Sequence, residues 1–220
     1  MKADWSTFWP KVVDATGETV YMVLITLALS TVLGLAVGLA LYATRKGGVL
    51  PNRLVHAVLG TFINVIRPVP FIIAIVALAP VTRAVVGTMI GTDAAVFPMT
   101  IVATFGIARI VESNLLSVEP GVIEAARSMG AGPLRILLTV LVPEALGPLV
   151  LGLTFMLVAL IDFSAVAGTV GGGGVGNLAM TYGYLRFDTS VMVVTVLVLI
   201  ALVQSAQFLG DRVSRRILRR

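Results

Sequence analysis

Residues 113–143 read SNLLSVEPGVIEAARSMGAGPLRILLTVLVP. The stretch is too polar to cross a bilayer as one apolar helix and too apolar to be a free linker. Pro120 suits the first turn of a helix, where its missing N–H leaves nothing unpaired. Gly130 suits the left-handed position just past a helix end. Between them Val122, Ile123, Ala126 and Met129 follow one another at spacings of one, three and three, which gives a short helix one apolar face. Gly132-Pro133 turns the chain, and a second apolar helix, Leu134 to Val142, stops before Pro143. Such a helix–turn–helix either docks on a partner or packs on the protein's own membrane face. Composition leaves both readings open.

Outward from this stretch the sequence is apolar. Five runs read as spans, at about 19–43, 54–80, 94–111, 146–170 and 190–209, each long enough to cross at about 1.5 Å per residue. Of the 220 residues, 58% are hydrophobic and 12% charged, and the mean hydropathy is +1.02. A soluble fold could not cover its surface with so few polar residues, so an ordinary soluble enzyme and a disordered chain are both excluded. With Cys at 0, disulfides, thiolate metal sites and cysteine nucleophiles are excluded as well. The expected fold class is an all-α integral membrane protein with membrane lipid as its main solvent.

Charge placement sets the expected orientation. Arg45, Lys46 and Arg53 lie in the first loop, Arg127 and Arg135 in the stretch 113–143 with Arg109 at its edge, and Arg212, Arg215, Arg216, Arg219 and Arg220 in the tail. The opposite side has Lys2, Lys11, Arg83 and Arg186. The N-terminus is therefore expected outside and the C-terminus in the cytoplasm. The net charge of +5 reads as a cytoplasmic flank and not as a nucleic-acid site. The first residues carry no apolar run and no cleavage pattern of a signal peptide. Trp5, Phe8 and Trp9 are expected to anchor at the interface. In the first span Gly34 and Gly38 form a small-xxx-small pair suited to close helix contact.

Glu124-Ala125-Ala126, three residues, Gly130, nine residues, then Val140-Leu141-Val142-Pro143 resembles the EAA loop of bacterial ABC importer permeases. That pattern is E-A-A-x3-G-x9-I-x-L-P, and this sequence departs from it only in the apolar exchanges Val140 and Val142. RPVPFIIAIVALAPVTRAVVGTMIG, FGIARIVESNLLSVEPGVIEAARSMGA, GGGGVGNLAMTYGYLRFDTSVM and FLGDRV resemble the small five-helix permeases of methionine-uptake importers. The resemblance implies a transmembrane domain over 16–213, preceded by an extracytoplasmic, interfacial 1–15 and followed by a basic cytoplasmic tail, 214–220. It also implies a two-fold dimer in a bacterial inner membrane. The partners it implies are two cytoplasmic ATP-binding subunits, which bind ATP and Mg, and an extracytoplasmic solute-binding lipoprotein. The cargo would be methionine, with the L or D form or a close analogue left open. Glu124, Ala125, Ala126, Gly130 and Pro143 would form the ATPase-coupling loop. No cofactor is expected in this chain and no nucleic acid as partner. A permease for another small polar solute is the alternative; an intramembrane enzyme or an energy-independent channel is the reading from another class.

Other residues look chemical. Gly171 to Gly174 with Gly176 could suggest a phosphate loop, but Asn177 stands where that motif needs Lys-Ser/Thr, so the glycines read as a backbone bend or a close approach. His56, the lone histidine, reads as structural, and no carboxylate has a His at metal-ligand spacing. Pro68 and Pro70 break a helix ladder beside Arg67, and a broken helix lining the pathway is the expectation. Ser164 and Val166 are candidate gate residues. Asp162 lies near the middle of the fourth span, and three readings compete for it: protonated and packed, facing the pathway, or paired with Arg67.

Overall fold

The computed structural model describes residues 5–218. The described residues form α1 (Trp5–Thr44), α2 (Arg53–Ile66), α3 (Phe71–Ala77), α4 (Ala79–Val86), α5 (Thr92–Leu116) and α6 (Pro120–Ser128). There follow α7 (Pro133–Arg135), a π-helical turn (Ile136–Leu141), α8 (Val142–Glu144) and α9 (Leu146–Thr169). The chain ends with α10 (Gly174–Leu178), a second π-helical turn (Ala179–Tyr184) and α11 (Thr189–Leu218). Among the described residues, four helices are long and apolar enough to cross a membrane, or up to five if the broken pair α2 and α3 counts as one span.

The differences from expectation have physical causes. The first helix begins well before residue 19, because Phe8, Val12, Ala15, Thr19, Met22 and Thr26 are all buried at spacings of four and three. That stripe holds one continuous helix from Trp5, and Phe8 is core, not an interfacial anchor. Trp9 stays 54% exposed, as an anchor would be. The expected run 54–80 is three helices, since Pro70 sits at φ −57°, ψ 135° and cannot continue α2. The second helix of the 113–143 stretch is not a plain α-helix but shifts to π-type winding over Ile136–Leu141. The expected basic residues Lys2, Arg219 and Arg220 lie outside the described residues.

The chain divides into two compact units. The first holds residues up to 29, 69–103 and 157–208. Its core joins Phe8, Val12 and Ala15 of α1 to Val175 and Leu178 of α10 and Val191 of α11. Phe71 stacks on Phe163 with ring centroids 4.5 Å apart. The second unit holds 30–68, 104–156 and the residues from 209 on. Its core joins Leu41, Ile63 and Ala108, with Val37, Leu59 and Phe105 packed against them. Within it the pair Gly34 and Gly38 does what its spacing suggests. A Cβ on Gly34 would lie 2.7 Å from the Ile107 side chain, and one on Gly38 would lie 2.6 Å from Val111 Cβ and 2.7 Å from the Ala108 carbonyl. α1 and α5 thus touch through backbone, a contact only glycine permits.

Candidate coupling surface and pathway residues

The stretch between α5 and α9 is built from local rules. α5 ends at Leu116, and Pro120 occupies the first turn of α6. α6 ends at the Met129 cap, with Gly130 at φ 78°. Gly130 N–H donates to the Arg127 carbonyl (2.9 Å) and Ala131 N–H to the Ala126 carbonyl (3.1 Å). Those two bonds are a complete Schellman ending, so the turn is fixed by backbone hydrogen bonds and not by side chains. A Cβ on Gly130 would meet no atom within 4 Å. The constraint there is torsional, not steric.

The expected apolar face splits. Ala126 is buried, and Val122 and Ile123 are half-buried against the chain's own second unit. Met129 is 81% exposed and Leu134 64% exposed, with Glu124 and Ala125 also exposed. One face of the stretch packs on the protein and the tip stands clear of it. Pro143 is exposed in α8. Sequence reasoning missed the support beneath α6. Arg127 donates to the Gly48 carbonyl (3.4 Å), tying α6 to the 45–52 loop. That loop is itself held by Asn52 N–H to Thr44 O and by the Asn52 side chain, which caps α2 by accepting from Leu54 and Val55 N–H. His56 Nδ1 lies 3.1 Å from the Leu41 carbonyl, a structural role that joins α2 to α1.

The glycine-rich turn after α9 is occupied by its own chain. Gly174 N–H donates to Glu18 Oε2 (2.6 Å) and Val175 N–H to Thr19 Oγ1 (2.9 Å). A phosphate loop leaves such amides free for a ligand; here a carboxylate and a hydroxyl fill them, and the backbone bend is what the glycines provide.

The pathway candidates differ in their burial. Arg67 caps α2 and is exposed, Pro68 is exposed, and Pro70 precedes α3. Asp162 is exposed on α9. Among the described residues the side chains of Arg67 and Asp162 make no hydrogen bond or ion pair. Ser164 is fully buried, with its hydroxyl on the Ile161 carbonyl (2.7 Å), whereas Val166 is half-buried. Arg109, noticed in the sequence only for its charge, pairs with the buried Glu112 one turn along α5. It shares with Arg67 a recess of about 610 Å³ in the second unit.

A family described as the binding-protein-dependent transport system inner membrane component matches residues 30–219. A probable D-methionine transport system permease protein MetI of Vibrio cholerae serotype O1 is 49% identical over 92% of this chain and 90% of its own. The methionine import system permease protein MetP of Bacillus subtilis is 40% identical over 91% of this chain and 90% of its own. A solved structure of the MetNI methionine ABC transporter in an inward-facing conformation superposes with a TM-score of 0.94 at 40% identity, covering 98% of this chain and 99% of that one.

Proposed function

Because the chain belongs to the family of binding-protein-dependent transport system inner membrane components, we propose that it is the permease subunit of an ATP-driven importer of methionine. The cargo follows from the names of relatives as similar as 49% over nearly the whole chain. Two copies form the pathway on a two-fold axis, since a single chain has too few spans to enclose an amino acid. Two cytoplasmic ATPase subunits bind nucleotide, and an extracytoplasmic binding protein delivers the solute. The N-terminus lies outside, and the stretch 113–143 and the C-terminus lie in the cytoplasm, on the side richer in Lys and Arg.

The observation that carries this reading is the tip of α6. A short helix with a backbone-locked turn, packed on one face and presenting Glu124 and Ala125 on the other, with Met129 at its cap and Leu134 in α7 also exposed, is built to sit in a partner's groove. Small residues at Ala125 and Gly130 let it sit deep. Ala126 and Pro143 act from behind, the first as packing and the second at the far end of the loop. Closure of the ATPases on ATP pushes this tip, and the hydrogen-bonded 45–52 loop beneath it passes the motion to α1 and α2. Arg67, Pro68, Pro70 and Asp162 line or shape the route of the solute, with Val166 as the apolar closure and Ser164 as its buried support.

Reconstitution tests the proposal. Liposomes holding the permease with its ATPase should accumulate labelled methionine when given ATP and the binding protein. Accumulation of another amino acid in preference to methionine would replace the cargo, and uptake without ATP would replace the mechanism.

A further inference from the structure

The recess of the second unit lies between the end of α2, the second half of α5 and the first half of α9. Its volume of about 610 Å³ falls within the roughly 300–1,000 Å³ of small-molecule sites. Its walls differ in chemistry. Leu151, Phe155 and Met156 make an apolar side. Arg67 and Arg109 bring two guanidinium groups, and none of the lining residues is acidic. Arg109 is already answered by Glu112, which is buried beside it on α5. Arg67 is not answered: its side chain has no hydrogen bond or ion pair among the described residues. It follows the 14 residues of α2, about 21 Å of helix, with no carboxylate anywhere along them. A cation at such a place in a membrane protein needs a partner. The recess therefore holds one uncompensated positive charge. It also holds hydrogen-bond acceptors without partners, since Ser113 and Asn114 make no side-chain hydrogen bond among the described residues.

From this arrangement we infer that the recess binds a free amino acid with an apolar side chain, its carboxylate on Arg67. This deepens the permease reading and rests on it. A planar carboxylate matches the guanidinium fork of Arg67. The ammonium group donates to Asn114 Oδ1 and Ser113 Oγ. The side chain lies along Leu151, Phe155 and Met156, where a thioether gains from an aromatic edge. A phosphodiester headgroup would satisfy Arg67 too, and competition by methionine but not by methioninol tells the two apart. The site is a station on the route through the membrane that the solute occupies after leaving the binding protein.

The test uses the complete permease–ATPase complex in nanodiscs without binding protein, and a diazirine analogue of methionine as probe. After illumination, adducts should map to peptides within 106–114 or 148–156. Methionine should suppress them, and methioninol, which lacks the carboxylate, should not. Arg67→Gln should lower labelling there by about tenfold or more, and Arg67→Lys by less. Adducts confined to other segments would overturn the site. So would equal competition by methioninol, or unchanged labelling in Arg67→Gln. The competition arm uses the native chain, so a folding defect in the variant does not decide it. Methionine uptake by the same complex with its binding protein separates the two claims. Uptake without these adducts removes the recess and keeps the permease; absence of uptake removes the methionine reading itself.

Discussion

Gly130 stands at φ 78° with open space around its Cα, so a side chain there is penalised only through torsion, by about 1–3 kcal/mol. Gly130→Asn, which tolerates this geometry, is expected to retain uptake. Gly130→Val is expected to reach the membrane in normal amount and to lose substrate-stimulated ATP hydrolysis; normal uptake by the valine variant would remove the turn from the coupling argument. Met129 tests the same surface without strain. Its side chain is 81% exposed, so Met129→Ser should leave the thermal unfolding of the permease unchanged while less ATPase co-purifies with it. Asp162 is exposed and unpaired in the single chain, so Asp162→Asn should not lower the amount of complex. Should the amount fall and Arg67→Gln restore it, the two residues are paired in the assembled protein. The sequence made Gly130 readable because a glycine directly after an apolar helical run has few other uses. Met129 was read as one face with Ala126, yet Ala126 is buried and Met129 exposed. It is the cap residue, at φ −80° and ψ 6°, where the helical period no longer says which way a side chain points.

Among the elements, α1 and α5 give the sharpest contrast. A Cβ at Gly38 would strike the Ala108 carbonyl and Val111 Cβ, both on the packed face of α5. Gly38→Ala must push the helices apart and should destabilise the protein by about 1–3 kcal/mol. Gly60 on α2 has nothing nearer than 4.0 Å, and there alanine gains up to about 1 kcal/mol of helix propensity. Thermal unfolding followed by size-exclusion chromatography in detergent should therefore move in opposite directions for the two variants. A similar loss in both would mean that α1 and α5 do not meet at Gly38. The four-residue spacing of Gly34 and Gly38 announced this contact, and Pro68 with Pro70 announced the end of α2. The π-helical turns at Ile136–Leu141 and Ala179–Tyr184 were not legible. Their residues fit an α-helix equally well, and an extra residue per turn is settled by the neighbours it packs on. The early start of α1 was hidden differently: Lys11, Asp14 and Glu18 look like a polar lead-in. Yet they project from a helix whose other side, Phe8, Val12 and Ala15, is core.

For the whole molecule the orientation is directly testable, because the sequence has 0 cysteines. A cysteine placed at Arg186 should react with an impermeant thiol reagent added outside intact cells, and one placed at Gly132 only after the membrane is opened. The reverse pattern would invert the assignment of sides. Composition made the membrane class legible at once, and the motif around Glu124 and Gly130 made the family legible. The division into two compact units was not, because one helix such as α1 carries residues of both and nothing in its sequence marks the boundary. Burial is also uneven among the four long helices: 61% of the most apolar window of α5 is buried, against 17% for α11. That imbalance has a genetic consequence. Positions such as Val32 and Leu197, exposed on the single chain, can drift among apolar residues. Along α5, by contrast, Ile107, Ala108 and Val111 sit against glycine backbone, so an enlarging mutation on either helix has no compensating exchange available on the other. Inherited variation in this protein should therefore collect on α11 and the outward side of α1, leaving α5 as the slowest-changing strip outside the coupling tip.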